Sequence, residues 1–429
     1  MSIAYSRETL ADGIGYTAIV DPKFKTNVVR IRLLTELHPD TVSANALAFG
    51  VLGACNSVYQ DLAVLTAKLN ALYGTNIGVD IAKRGDLQML SLSVNAIDNR
   101  YALEAGEDVT GDALDILLTC LFSPNAHDGA FAETMFGPRR KDLLDTIEAE
   151  INNKRSYAVH RAQQTIFQDE PAAVSSYGTM ETAEAVTPAS AYAAYRTLLE
   201  TAQFEIYCVS STPLPAVREK LEAAFRQIQR KPNKLSVFAP SPIKAVPAEI
   251  REQLDVGQSK LVMAYKTDCE DFRAIRLMNT IFGATPFSKL FLNVREKLSL
   301  CYYCASGYQE TKRTLLIDSG IEIANYEKAR AEIEAQLQAM REGCFSDEDM
   351  DNALLSIYNS IRSTGDTPSD WIGWYFSQYL RGTALSPEEE IAVTQAEMQD
   401  REAVRKRIIA AAASMRLDTV YLMQQKEGE

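Results

Sequence analysis

Two side-chain pairs within one short stretch could do chemistry. In N-V-R-E-K-L-S-L-C-Y-Y-C-A-S-G-Y-Q, residues 293–309, Cys301 and Cys304 have the spacing of a redox dithiol or half a zinc site. In the same stretch Arg295 precedes Tyr302 and Tyr303. A redox pair of this spacing usually opens a helix, where the dipole favours the thiolate. The residues flanking these cysteines are strand-like, and side chains three apart on a strand point to opposite faces. The two thiols are therefore expected to diverge, and without a bulge could neither bridge nor share a metal. No second C-x-x-C exists to complete a zinc site. They read as two buried, small apolar residues.

The arginine and tyrosine are a different case. Arg295 ends a helix, and Tyr302 follows on a strand after the turn Lys297-Leu298-Ser299. Such a pair can converge on one point, the guanidinium binding a carbonyl or carboxylate and the phenol donating to an oxyanion. The residues alone favour a plainer alternative: an arginine satisfying helix carbonyls and a tyrosine at the edge of a core. Tyr303, on the opposite face of the strand, is expected in the core.

Other chemistry finds little support. The three histidines, His38, His127 and His160, are far apart in sequence. Gly13-Ile14-Gly15 is a turn between short strands, lacking the third glycine and helix of a dinucleotide loop. There is no Gly-x-Ser-x-Gly elbow, P-loop or aspartate-rich metal cluster in the sequence.

The elements that must position the pair follow from periodicity and turn chemistry. A β-branched strand over 26–34 leads to helices over 43–54 and 60–72, then to a hairpin turning at Gly85-Asp86. Helices are expected over 103–122, 128–153, 156–168, 188–201 and 214–229, with a strand over 203–211. Four prolines between 232 and 248 mark a linker. Beyond it come a strand (258–266), helices (270–282 and 286–297) and a hairpin turning at Glu310-Thr311-Lys312. A long helix ending at Gly343, helices over 346–363, 368–381 and 397–413, and a closing strand complete the chain. The two halves share an order of elements, a weak internal repeat. The expected fold is α+β: two similar domains, 1–235 and 236–429, each a mostly antiparallel sheet covered by helices on one side.

Composition sets the limits. A chain of 429 residues with 46% apolar and 24% charged side chains needs no disulfide or metal staple. A net charge of −13 argues against nucleic-acid binding. Seven scattered cysteines fit reduced thiols in the cytoplasm. No signal peptide or membrane span is expected.

L-F-L-N-V-R-E-K-L-S-L-C-Y-Y-C-A-S resembles the second-domain signature of the pitrilysin/insulinase-type zinc peptidases, in which an arginine–tyrosine pair holds substrate. L-N-A-L-Y-G-T-N-I-G-V-D-I-A-K-R, G-D-A-L-D-I-L-L-T-C-L-F-S-P-N and N-N-K-R-S-Y-A-V-H-R resemble the family in order, over nearly the whole chain. Active members carry H-x-x-E-H on the first helix, two histidines binding zinc and the glutamate acting as base. Here Asn45, Ala48 and Phe49 take those places, and no histidine lies between His38 and His127. The downstream helix holds Glu148 and Glu150, which without partners suit a solvated face. The resemblance thus implies a non-catalytic subunit, similar to that of mitochondrial processing peptidase and of bacterial paired peptidases. It implies no metal in this chain, zinc in an H-x-x-E-H partner forming a heterodimer, a peptide substrate, and metalloendopeptidase activity only with that partner. A homodimer is the alternative assembly in isolation. Arg295 and Tyr302 would bind substrate. The competing reading is a scaffold of the same fold with no role in proteolysis.

Overall fold

The computed structural model describes residues 3–425 and forms two compact units. One gathers Met1–Ala149, Val174–Ser236 and Thr367–Gly373; the other gathers Glu150–Ala173, Val237–Asp366 and Trp374–Glu429. Each therefore holds a stretch that lies, in sequence, within the other.

The first unit is built on six strands: β1 (Ala4–Ala11), β2 (Ile14–Val20), β3 (Thr26–Glu36), β4 (Asn76–Arg84), β5 (Leu87–Ile97) and β6 (Gln203–Ser210). Their order is β1-β2-β6-β3-β5-β4, antiparallel except for β2 beside β6. Alternation along β3 sends Val29, Ile31 and Leu33 into the core, where helices Val42–Leu52, Val109–Phe122 and Pro188–Thr201 cover them. On the opposite face Arg32 donates to Ser91 Oγ at 3.3 Å, and Arg7 grips Glu205 through both nitrogens at 2.6 and 2.9 Å.

The second unit has five strands: β7 (Ala248–Leu254), β8 (Ser259–Lys266), β9 (Cys301–Gln309), β10 (Thr314–Ile321) and β11 (Arg416–Gln425). They run β7-β11-β8-β10-β9, again antiparallel but for one parallel pair, β7 beside β11. Strand for strand this repeats β2-β6-β3-β5-β4, so the shared element order has become shared topology. In each sheet an outermost strand, β4 or β9, follows a helix and a tight turn.

The sequence reading placed helices on one side of each sheet. In the second unit both sides are covered. β8 is buried along its whole length, as a strand must be when both faces are packed. Leu261, Met263 and Tyr265 face helices Phe272–Phe282, Tyr326–Arg341 and Arg401–Ser414. Val262 and Ala264 face Ala158, Ala162 and Ile166 of helix Lys154–Ile166, with Phe167 just beyond it. Buried charges fasten that segment. Lys312 pairs with Glu170 at 2.7 Å, and Lys266 donates to the Ile166 carbonyl at 2.8 Å. Asp418, wholly buried, receives Lys244 at 2.7 Å and Lys266 at 3.1 Å.

Several expected elements shift. The expected 103–122 helix begins only at Val109. The 128–153 helix shortens to Glu133–Ala149 behind a small hairpin at residues 126–131. Strand β7 starts inside the expected linker, held by β11. Helix Pro387–Glu397 was not expected.

Candidate substrate-binding site

Arg295 sits on Leu290–Lys297, a helix wound one residue wider per bond than an α-helix. Leu298 N–H reaches back five residues to the Asn293 carbonyl at 3.1 Å. Leu290 and Val294, both fully buried, anchor this turn to the core. Single π-type turns inside helices are often found at functional sites. The anchoring leaves Arg295 on the outer side, its guanidinium 4.7 Å from the Phe291 ring centroid. Its one ion pair among the described residues is Glu296, at 3.6 Å. The chain then reverses through Ser299, whose φ of +49° is left-handed, and enters β9.

β9 is an outermost strand, and it carries a bulge. Cys301 pairs with Ile321 of β10 and Tyr303 with the adjacent Gly320, so Tyr302 is the extra residue. A bulge re-aims a side chain, and Tyr302 is 58% exposed. Its hydroxyl donates to Glu322 Oε1 at 2.5 Å. That bond, followed by the carboxylate's charge, pushes the phenol above its ordinary pKa, so Tyr302 stays a neutral donor at physiological pH. Tyr303 turns to the other face as expected, but it is only partly buried. Its ring lies under the Arg155 guanidinium at 4.3 Å and near Lys260 at 5.5 Å.

Arg295 and Tyr302 line one groove of about 430 Å³, together with Glu296, Ser299, Leu300, Cys301, Glu322 and Asn325. A cation and a neutral phenol on one wall can bind a backbone carbonyl or a carboxylate. Glu322 was missed. Extending the hairpin register unbulged from Gln309 opposite Thr314 puts Glu322 opposite Cys301, so only the bulge brings it to the tyrosine.

The bulge also corrects the expectation for the cysteines. Their ladder partners, Ile321 and Ser319, are two apart and share a face. Cys301 and Cys304 therefore share that face instead of diverging.

In the first unit, helix Val42–Leu52 packs Asn45, Ala48 and Phe49 into the core. Asn45 is 4% exposed, and Ala48 and Phe49 are 0%. Asn45 Nδ2 donates to Gln88 Oε1 at 3.0 Å, and Gln88 Nε2 donates to the Val42 and Ser176 carbonyls at 3.0 and 2.8 Å. An amide network and an aromatic ring thus fill the positions expected for the metal motif, and neither suits a zinc ion. No group of three or more His, Cys, Asp or Glu side chains among the described residues could hold a metal. Glu148 is exposed. Glu150 lies 3.8 Å from His160, while His38 sits exposed 3.6 Å from Asp40.

Comparison with known proteins points the same way as the sequence motifs. Residues 185–356 match the family described as the peptidase M16 inactive domain. Over 432 aligned residues, the chain is 28% identical to the Bacillus subtilis (strain 168) protein named "Probable inactive metalloprotease YmfF", covering 99% of this chain and 100% of that one. The chain thus resembles the inactive type of M16 peptidase, in one segment by family model and over its full length by one relative. Among solved structures, a conserved protein of Enterococcus faecalis V583 superposes on this chain with a TM-score of 0.89 and 26% identity, covering 99% of this chain and 100% of that one. A peptidase M16 inactive domain from Pseudomonas fluorescens shares the fold at a TM-score of 0.78 and 16% identity, covering 99% of each chain. The chain has no helix among the described residues long and apolar enough to cross a membrane.

Proposed function

We propose that this protein is the zinc-free subunit of a two-chain peptidase, holding extended peptides for a partner chain that carries H-x-x-E-H. One observation carries the reading. Arg295 and Tyr302 face a common groove beside an outermost strand, while the positions of a metal motif are packed core. An outer strand such as β9 can accept an extended peptide by backbone pairing, which is tolerant of sequence. Arg295 would bind a substrate carbonyl near the cleaved bond, and Tyr302, exchanging Glu322 for substrate, would donate to the oxygen that gains charge.

The test is peptide cleavage by the protein together with an H-x-x-E-H chain encoded beside it. Arg295→Ala with Tyr302→Phe is expected to lower kcat/KM by roughly a hundredfold to a thousandfold, the usual loss on removing one oxyanion donor. Unchanged cleavage, or a purified assembly with no H-x-x-E-H chain, would overturn the proposal in favour of a scaffold.

A further inference from the structure

The bulge that exposes Tyr302 has a second effect, on the two cysteines that flank it. Opposite Ile321 and Ser319, Cys301 and Cys304 occupy two successive positions on one face of β9. Two strand positions span roughly 6.6 Å, at the upper end of the Cα separations that disulfides bridge, so closing the bond would also draw the two Cβ atoms together. Beside that register, the electrostatics of each thiol are governed first by the other. Their settings differ. Cys301 is half-buried and lines the groove beside Arg295, whereas Cys304 is 4% exposed and belongs to the core.

The geometry points to a redox-active dithiol, with Cys301 as the attacking thiol and Cys304 as the resolving thiol, and with small disulfides of the glutathione class as oxidant. Cys301 as thiolate attacks one sulfur of the small disulfide, forming a mixed disulfide and releasing a thiolate. Cys304 then loses its proton, and its sulfur displaces the second small thiolate, closing the Cys301–Cys304 bond. Two protein thiols are oxidised, one small disulfide is reduced to two thiols, and the two protons pass to the thiolates released.

The electrostatics agree with these roles. The Cys304 hydrogen bond holds Cys301 below the ordinary thiol pKa against burial, helped by Ser319 and by the charge of Arg295. The same contact and burial push Cys304 well up. The buried thiols Cys55, Cys120 and Cys208 are raised to about 11, first by desolvation, and so provide inert internal references. Cys344 is exposed and provides a reference for accessibility alone.

The inference stands apart from the peptide-holding proposal, because the test reads thiol chemistry on this chain by itself. The folded, full-length protein is equilibrated in mixtures of reduced and oxidised glutathione, quenched with alkylating agent, and mapped by mass spectrometry. Cys301 and Cys304 are expected to lose alkylation together, as one disulfide-linked peptide following a two-electron titration. Cys304→Ser should stop at one glutathione adduct on Cys301, formed faster than any adduct on Cys344. Cys301→Ser should leave Cys304 unmodified. If Cys301 and Cys304 stay alkylated across the series in the unaltered protein, or if Cys344 reacts first in Cys304→Ser, the assignment fails. The wild-type measurement decides the matter even if a variant folds poorly.

Discussion

Restoring a carboxylate at the degenerate metal motif measures how completely that position has become core. Ala48→Glu places an acid where the side chain is 0% exposed and packed within the first unit's main cluster. Two costs separate cleanly if Ala48→Gln is made in parallel. Glutamine carries the overpacking cost alone, typically about 1–3 kcal/mol. Glutamate adds the cost of a buried charge. Full burial raises a carboxyl pKa by about 3–5 units, and each unit is worth about 1.4 kcal/mol. Glutamate should then lie about 4–7 kcal/mol below glutamine once the pH exceeds its raised folded value. The sign fixes the pH dependence. A folded pKa above the unfolded one means the folded state binds more protons between the two values, so the deficit grows as pH rises and closes below the ordinary carboxylate range. Urea unfolding followed by circular dichroism, at about pH 5 and about pH 7.5, reads both terms. If glutamate and glutamine behave alike at both pH values, water reaches the position and the packed-core account is wrong.

Two further predictions concern the second unit. Asp418→Asn should destabilise it by about 3–5 kcal/mol, since buried Lys266 and partly buried Lys244 lose their shared counter-charge. Burial works against the Asp418 charge, but bonds to Lys244 and Thr419 and the charge of Lys266 outweigh it and hold its pKa low. Its contribution is therefore present above the unfolded carboxylate pKa and lost as pH falls through the folded value, so the variant should show a flatter acid limb in urea midpoints against pH. Glu322→Gln should move the Tyr302 phenol downward in pKa, because the Glu322 bond is the first cause of its elevation. Ring-carbon NMR with Tyr302→Phe as assignment control reads this, and an unmoved titration would show that the bond does not persist in solution.

How much was legible in the sequence depended on range. The placing of Arg295 and Tyr302 on a helix end and a following strand needed only local pattern, and both face one groove. The repeat of strand order followed from the same local elements. The bulge at Tyr302 did not, because an extra residue in a ladder is defined by the partner strand. The opposed-face argument for Cys301 and Cys304 failed for that reason alone. β7 was hidden similarly: its alternation lies in a proline-rich surrounding, and its parallel partner is more than 160 residues away. Helix Pro387–Glu397 was a different kind of miss. Ser386 and Glu389 form a reciprocal capping box at its start, a signal written in the sequence.

The interleaving of the two units bears on how such a gene can be divided. A cut between residues 235 and 236 would send helix Lys154–Ile166 with the amino-terminal product, although its buried side chains belong to the other core. The carboxy-terminal product would keep Val262, Ala264, Tyr421 and Met423 uncovered, and Lys312 would lose Glu170. Similar as the halves are in topology, neither is a portable module. Fusion or shuffling at the midpoint would therefore break both units.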